Sequence, residues 1–238
     1  MENKADAMLT FLFWTVVGLM IFIPTCAVSA KFLKVGDKAG GSYNQLLSLA
    51  SSIKDGELLS MRLYMDDNTA IIGISKNSNR FESKSSQGSA TSVAYFEKPP
   101  ECQSKTCICL CSELGYTNIN ILETRITCGK TPECYPFENI EFLKKRPLTD
   151  FTVPTDKLSK IDYWWENGFM IITQNKLDKT ILAKIGFGGI ENFMIKKEKT
   201  IYIHRKRNFV NVCYSQNCIT DDIKKQIDID ESAALYGP

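Results

Sequence analysis

Histidine is almost missing from this chain: His204 is the only one among 238 residues. A metal site built on imidazoles, or a relay that needs a second one, is therefore excluded. An excess of charge is missing too, since 29 Lys+Arg stand against 27 Asp+Glu for a formal net charge of +2. That balance excludes a coat that binds nucleic acid through bulk charge, and nucleic acid is not an expected partner. No C-x-x-C occurs, which removes the ordinary zinc-knuckle and thioredoxin signatures. Gly186-Phe187-Gly188-Gly189 lacks nucleotide-binding spacing and reads as a turn between strands. No G-x-S-x-G elbow is present. Asp66/Asp67 and Asp221/Asp222 occupy turn-like or tail positions, where carboxylates start turns and helices rather than cleave glycosides. His204, beside Arg205, reads as a solvated surface residue rather than a base. The expectation is a protein that is no enzyme, with no catalytic residue, no cofactor and no resident metal.

What is present begins with an apolar run. Residues 7–30 carry no charge, and residues 8–28 (MLTFLFWTVVGLMIFIPTCAV) are nearly all apolar. About 20 such residues cross a bilayer as a helix. The first expectation is a transmembrane helix or signal-anchor over residues 1–30, touching membrane lipid through residues 8–28. Two rivals use the same stretch. Val28 and Ala30 suit a signal-peptidase site behind Pro24, and Cys26 would be the lipidated residue of a lipoprotein. All three direct the chain to a membrane. Lys31, Lys34 and Lys38 follow the run, and the lysine bias alone would hold the C-terminal part in the cytoplasm. The cysteines argue the reverse.

Of nine cysteines, Cys26 lies in the apolar run; the others are Cys102, Cys107, Cys109, Cys111, Cys128, Cys134, Cys213 and Cys218. An even set beyond a membrane signal reads as a disulfide framework made outside the cytoplasm. Cys107, Cys109 and Cys111 alternate, so a strand there projects all three thiols to one face. Neighbours two apart on a strand hold their Cα atoms about 6.5–7 Å apart with parallel Cβ vectors, a poor geometry for a bond. The three are expected to reach Cys102, Cys128, Cys134, Cys213 or Cys218 instead, with the pairing left open. The rival is a thiol-redox pair or a thiolate–metal site on the same Cys-x-Cys-x-Cys strand.

Apolar residues at Phe32, Val35, Ala39, Tyr43, Leu46, Ala50 and Ile53 trace one helical face, with Gly40-Gly41 as a weak point. This juxtamembrane amphipathic helix over 31–55 is expected to pack on its own head, a stalk or oligomerisation helix being the alternative. A Cys-rich β-domain over 56–218 and an acidic tail over 219–238 complete the division. Strands are expected at 58–65 and 69–75, joined as a hairpin by Asp66-Asp67-Asn68, then near 93–97, 106–111, 119–127, 168–173, 180–185, 192–197, 199–205 and 208–214. Residues 76–92, rich in Ser, Asn and Lys, read as a loop or linker. Lys196, Lys197, Lys199, Arg205, Lys206 and Arg207 form a basic edge able to take an anionic ligand, or a charged strand that blocks aggregation. Trp164-Trp165 reads as core packing rather than a recognition patch. The fold class expected is α+β: a transmembrane helix continuing into a juxtamembrane helix, then an antiparallel, disulfide-braced β-rich head.

This order of apolar helix, helical continuation and Cys-braced β head resembles a type IV pilin or pseudopilin, which implies a filament subunit assembling through its N-terminal helix. It departs from that family in two ways. No basic-Gly processing site precedes the run, and residues 7–30 contain no glutamate. More locally, the segment from Leu19 to Ser75, with Leu63 to Gly73 inside it, and the strand Cys107-Ile108-Cys109-Leu110-Cys111 resemble uncharacterised single-pass envelope proteins of small-genome archaea. That resemblance implies an address, the cell membrane with the C-terminal domain extracytoplasmic, and no activity. The expected role is a structural or interaction module of the envelope, with a second copy or an envelope protein as partner.

Overall fold

Alternating residues are frequent after Gly56, and in a computed structural model the described residues form fourteen strands in three sheets. The structure describes residues 14–15, 38–87, 90–147, 161–173, 194–195, 198–216 and 228. The chain divides into two units, residues 1–37 and 38–238. Of the first unit only Trp14 and Thr15 are described.

The second unit opens with α1 (Lys38–Ser52). Its buried residues Ala39, Tyr43, Leu46 and Ala50 recur every three to four positions, and Ile53 follows them into the core. The Asp66 carboxylate accepts from the Ala39 N–H (3.0 Å) at the first turn, the place where a helix has spare donors and favours negative charge. The Tyr43 hydroxyl donates to the carbonyls of Ile108 (2.9 Å) and Glu133 (3.0 Å), nailing the helix to two strands. Gly40 and Gly41 lie inside α1 without interrupting it.

A three-stranded antiparallel sheet runs β1 (Leu58–Tyr64), β13 (Glu198–Lys206), β14 (Phe209–Cys213). A five-stranded sheet has the order β12 (Met194–Ile195), β11 (Gly168–Thr173), β2 (Ala70–Ile74), β5 (Thr106–Cys111), β8 (Glu133–Phe137). Every residue of β2, β5 and β11 is buried. The sequences AIIGI, TCICLC and GFMIIT are the near-continuous apolar runs that strands covered on both faces require. A six-stranded sheet runs β6 (Leu114–Asn118), β7 (Glu123–Cys128), β4 (Ala90–Glu97), β3 (Arg80–Gln87), β10 (Ile161–Glu166), β9 (Lys145–Pro147). Phe81, Ala94, Phe96, Ile126 and Trp165 line its buried side.

Several expectations need correction. The α+β layout, with a transmembrane helix running on into a juxtamembrane helix, is overturned: the described residues are mostly strand with one α-helix, α1. None of the described helices is long and apolar enough to cross a membrane. The physical reason lies at Lys38, where α1 takes an N-terminus of its own, satisfied by Asp66 from another part of the chain. The helix rests on its own β-domain through β1 and β5. The run 8–28 apart from Trp14 and Thr15, the strand at 180–185, Gly186–Gly189 and nearly all of the tail 219–238 lie outside the described residues.

The supposed hairpin at 58–75 is two strands that never pair. β1 joins β13 and β2 sits between β5 and β11. Asn68, at φ 57°, turns a corner between sheets, because β2 must bury both faces while β1 buries only one. The supposed linker at 76–92 holds β3 and the start of β4, paired antiparallel from Arg80↔Glu97 to Gln87↔Ala90. Its small and charged residues hid an alternation in which Phe81, Ser83 and Ser85 face inward. The expected strand 119–127 contains the turn of a β6–β7 hairpin. By contrast β5, β11 and the β13–β14 hairpin stand where the alternation put them.

Candidate functional site

Strand β5 carries the cysteine chemistry. Cys107 bonds Cys102, Cys109 bonds Cys134, and Cys111 bonds Cys128. None of the three strand cysteines bonds another, as the i, i+2 spacing requires. Each bridge does a different job. Cys102–Cys107 ties the short 3-10 turn Pro100–Cys102 to the strand that follows it. Cys109–Cys134 links directly opposed residues of β5 and β8. Cys111–Cys128 joins the five-stranded sheet to β7 of the six-stranded one. Cys213 is also disulfide-bonded, whereas Cys218 lies outside the described residues. The bridges from β5 do not reach Cys213, so the long loop closures considered from spacing are not made by this strand.

The basic edge is used internally where it is described. Arg205 donates to the carbonyls of Ile53 (3.1 Å), Arg207 (2.8 Å) and Asn139 (3.5 Å). Its guanidinium thus closes the C-terminal end of α1, where carbonyls are left over. Lys206 pairs with Asp228 at 3.1 Å, and the Lys199 ammonium lies 4.4 Å from the Tyr214 ring centre. Arg207 occupies the hairpin turn at φ 56°, its N–H donated to Asp55. Lys196 and Lys197 lie outside the described residues. His204 is corrected: it is 8% exposed, not a solvated residue. It sits mid-sheet opposite Asn211, and burial, then the Lys206 charge, lower its pKa. Its Nδ1 and the Asn211 Nδ2 are buried with no hydrogen-bond partner.

A second concentration of charge was hidden in the supposed linker. On one side of the six-stranded sheet, Lys84 on β3 bridges Glu82 (2.6 Å) and Glu166 of β10 (2.5 Å). Arg80 holds Glu82 at 2.5 Å and reaches Glu123 of β7 at 3.4 Å. Trp164 donates its indole N–H to Glu166 (2.8 Å) beneath the Lys145 ammonium. Glu82 and Glu166 face each other in the register, so two like charges would repel without the lysine between them. Burial raises the Glu166 pKa, but hydrogen bonds from Lys84 and Trp164 outweigh it and hold it below the ordinary range. Burial lowers the Lys84 pKa, and its bonds to Glu166 and Glu82 lift it above normal overall. Trp165, the next residue, points into the core at 1% exposure. The Trp pair is therefore split by strand alternation, one ring on each face.

Two surface features remain. The turn between β6 and β7 exposes Ile119 (52%), Ile121 (90%) and Leu122 (47%) together. It is held by Asn120, whose Oδ1 accepts from the Leu122 N–H at 2.8 Å. The asparagines at 118 and 120 were the signal for that turn. A groove of about 460 Å³ opens where β4 and β7 part beyond Tyr95 and Arg125, lined by Phe96, Pro99, Ile126 and Pro132. Its cations are committed: Arg125 to Glu97, Lys98 to the carbonyls of Ser75 and Lys76, Lys130 to Glu113.

No family model matches this chain, and neither a curated protein nor a solved structure does.

Proposed function

We propose that this protein is an extracytoplasmic module of the cell envelope, directed to the membrane by its apolar N-terminal run and acting through structure and contact rather than catalysis. The observation that carries the reading is the set of three disulfides radiating from one fully buried strand. Bridges of this density persist where glutathione does not reduce them. The uncharged residues 7–30 supply the address. The envelope contact is placed at the β6–β7 turn, because Ile119, Ile121 and Leu122 gain nothing where they stand unless another apolar surface covers them. Assembly through α1 is disfavoured, since its apolar face is already spent on β1 and β5.

The test is maleimide-PEG labelling of intact and permeabilised cells, with and without prior reduction, read by gel shift. Labelling of head cysteines on intact cells only after reduction is the expected result. Labelling without reduction, and only after permeabilisation, would place free thiols inside and overturn the reading.

A further inference from the structure

Two of the three β5 disulfides lie against each other. The sulfurs of Cys102, Cys109 and Cys134 are all within 4.8 Å of one another, and Cys107 is bonded to the first of them. Cys102, Cys107 and Cys109, with Cys134 packed on them, make a hydrophobic cluster of their own, separate from the main core. Cys111 and Cys128 belong instead to the main hydrophobic core. Two bridges with separate jobs thus bring four sulfurs together outside the main core.

The frame that holds them does not depend on the bonds they make. β5 and β8 pair from Thr106↔Phe137 to Leu110↔Glu133, and Tyr43 donates to a carbonyl of each strand. Cys102 is held by its own turn, its N–H donated to Pro99 and its carbonyl accepting from Lys105. Cleaving the S–S bonds would therefore leave three thiols within 4.8 Å of one another and a fourth, Cys107, beside Cys102.

We propose that Cys102, Cys107, Cys109 and Cys134 form, when reduced, a four-thiolate site for one thiophilic divalent cation of the Zn²⁺ class. Sulfurs around a tetrahedral zinc at about 2.3 Å stand about 3.8 Å apart. The bonded pairs, at 2.13 Å and 2.10 Å, therefore have to open by about 1.7 Å once cleaved, and Cys102, which lies within 4.8 Å of Cys109 and Cys134, has to draw in by no more than about 1 Å. The same contacts provide the way in. Cys134 is the half-buried member, the other three being at most 1% exposed.

A dithiol reductant attacks the Cys134 sulfur and displaces Cys109 as thiolate, and its second thiol then frees Cys134 while it closes to a cyclic disulfide. The Cys109 thiolate attacks Cys102, forming Cys102–Cys109 and releasing Cys107. The Cys134 thiolate attacks Cys102 in turn and displaces Cys109, which leaves a Cys102–Cys134 bond open to a second dithiol. Two dithiols are oxidised and two protein disulfides reduced. Binding M²⁺ then displaces the four thiol protons to give an M(SR)₄ centre of charge −2. None of this depends on which side of a membrane the domain occupies, so it stands or falls apart from the envelope reading.

The experiment uses the full chain in detergent, reduced anaerobically by a dithiol, freed of it and titrated with Co²⁺ as the spectroscopic probe. The expected result is one Co²⁺ per chain with near-ultraviolet thiolate charge transfer and intense visible bands of a tetrahedral site, displaced by Zn²⁺. The oxidised chain binds none. Cys134→Ser and Cys102→Ser each weaken binding at least tenfold, and Cys111→Ser with Cys128→Ser leaves stoichiometry and spectrum unchanged. A reduced chain that takes up no Co²⁺, or one whose uptake is indifferent to Cys102→Ser and Cys134→Ser, overturns the proposal.

Discussion

The five-stranded sheet and the six-stranded sheet hold together by opposite means. In the first, β2, β5 and β11 bury every residue, and the cohesion is apolar contact with two glycines at the closest approach. In the second, β3 (RFESKSSQ) offers only Phe81 as a large apolar side chain. It is kept in place by the ion lattice on one face and small buried serines on the other. The first arrangement resembles a folded core in miniature, sensitive to volume. The second is sensitive to partners, because Lys84 finds Glu166 from a sequence distance of 82 residues.

The sharpest way to break that contrast is at the glycines. The Phe169 ring lies over Gly73, where an added Cβ would come 2.2 Å from its Cε1. Gly168, at φ 152°, would place a Cβ 1.9 Å from the Gly73 carbonyl oxygen. Gly168→Ala combines a strained backbone with a clash against main chain, and is expected to cost about 4 kcal/mol or leave the domain unfolded. Urea denaturation followed by tryptophan fluorescence measures it; a loss under about 1 kcal/mol would mean the strands can separate without penalty.

Next in size is the bridge between the two sheets. Replacing both members of Cys111–Cys128 by Ser removes the covalent tie from β5 to β7 and should destabilise by about 2–4 kcal/mol. If the urea midpoint does not move, the sheets are held by packing alone.

The ion lattice should show itself through pH and coupling rather than bulk stability. A double-mutant cycle on Lys84→Met and Glu166→Gln is expected to give a coupling of about 1 kcal/mol, as for a half-buried pair. The Glu166 pKa is lowered in the fold, so its contribution is present above the ordinary carboxylate range and lost as pH falls through the folded value. The raised Lys84 pKa acts the other way: that contribution is complete below the lysine's ordinary value and lost as pH rises through the folded one. Denaturation across pH should show both slopes in the native chain and shallower ones in the double variant. At the surface, Ile121→Ser is expected to change stability by no more than about 0.5 kcal/mol while raising solubility, since that side chain is 90% exposed. A larger loss would place the turn inside the fold's energetics instead of its contacts.

Legibility followed the same division. β5 and β11 could be read from unbroken apolar runs, and β13 with β14 from alternation around Arg207-Asn208, because burial on a strand writes itself into local spacing. β3 could not, since its polar residues resemble a linker until the opposing β10 is known. β8, β9 and β10 were missed for the same reason: short strands broken by Pro136 or Pro147, or mixed with charge, carry little period-two signal. Asp66 read as a turn former, and its carboxylate also caps α1. Of the sulfur cluster, the sequence disclosed the strand cysteines Cys107 and Cys109, but not that Cys102 and Cys134 would meet beside Cys109.

By itself the sequence determined what depends on neighbours along the chain: the uncharged run at 7–30, the helical face through Tyr43 and Leu46, the apolar strands, and the rule that alternate cysteines on one strand seek partners elsewhere. Only tertiary structure decided which strands pair, which sulfurs bond, and that Lys84 stands between Glu82 and Glu166. The reason is physical. Hydrophobic periodicity is a local consequence of burial, whereas a bond or an ion pair exists only once the chain has brought distant residues within a few ångströms.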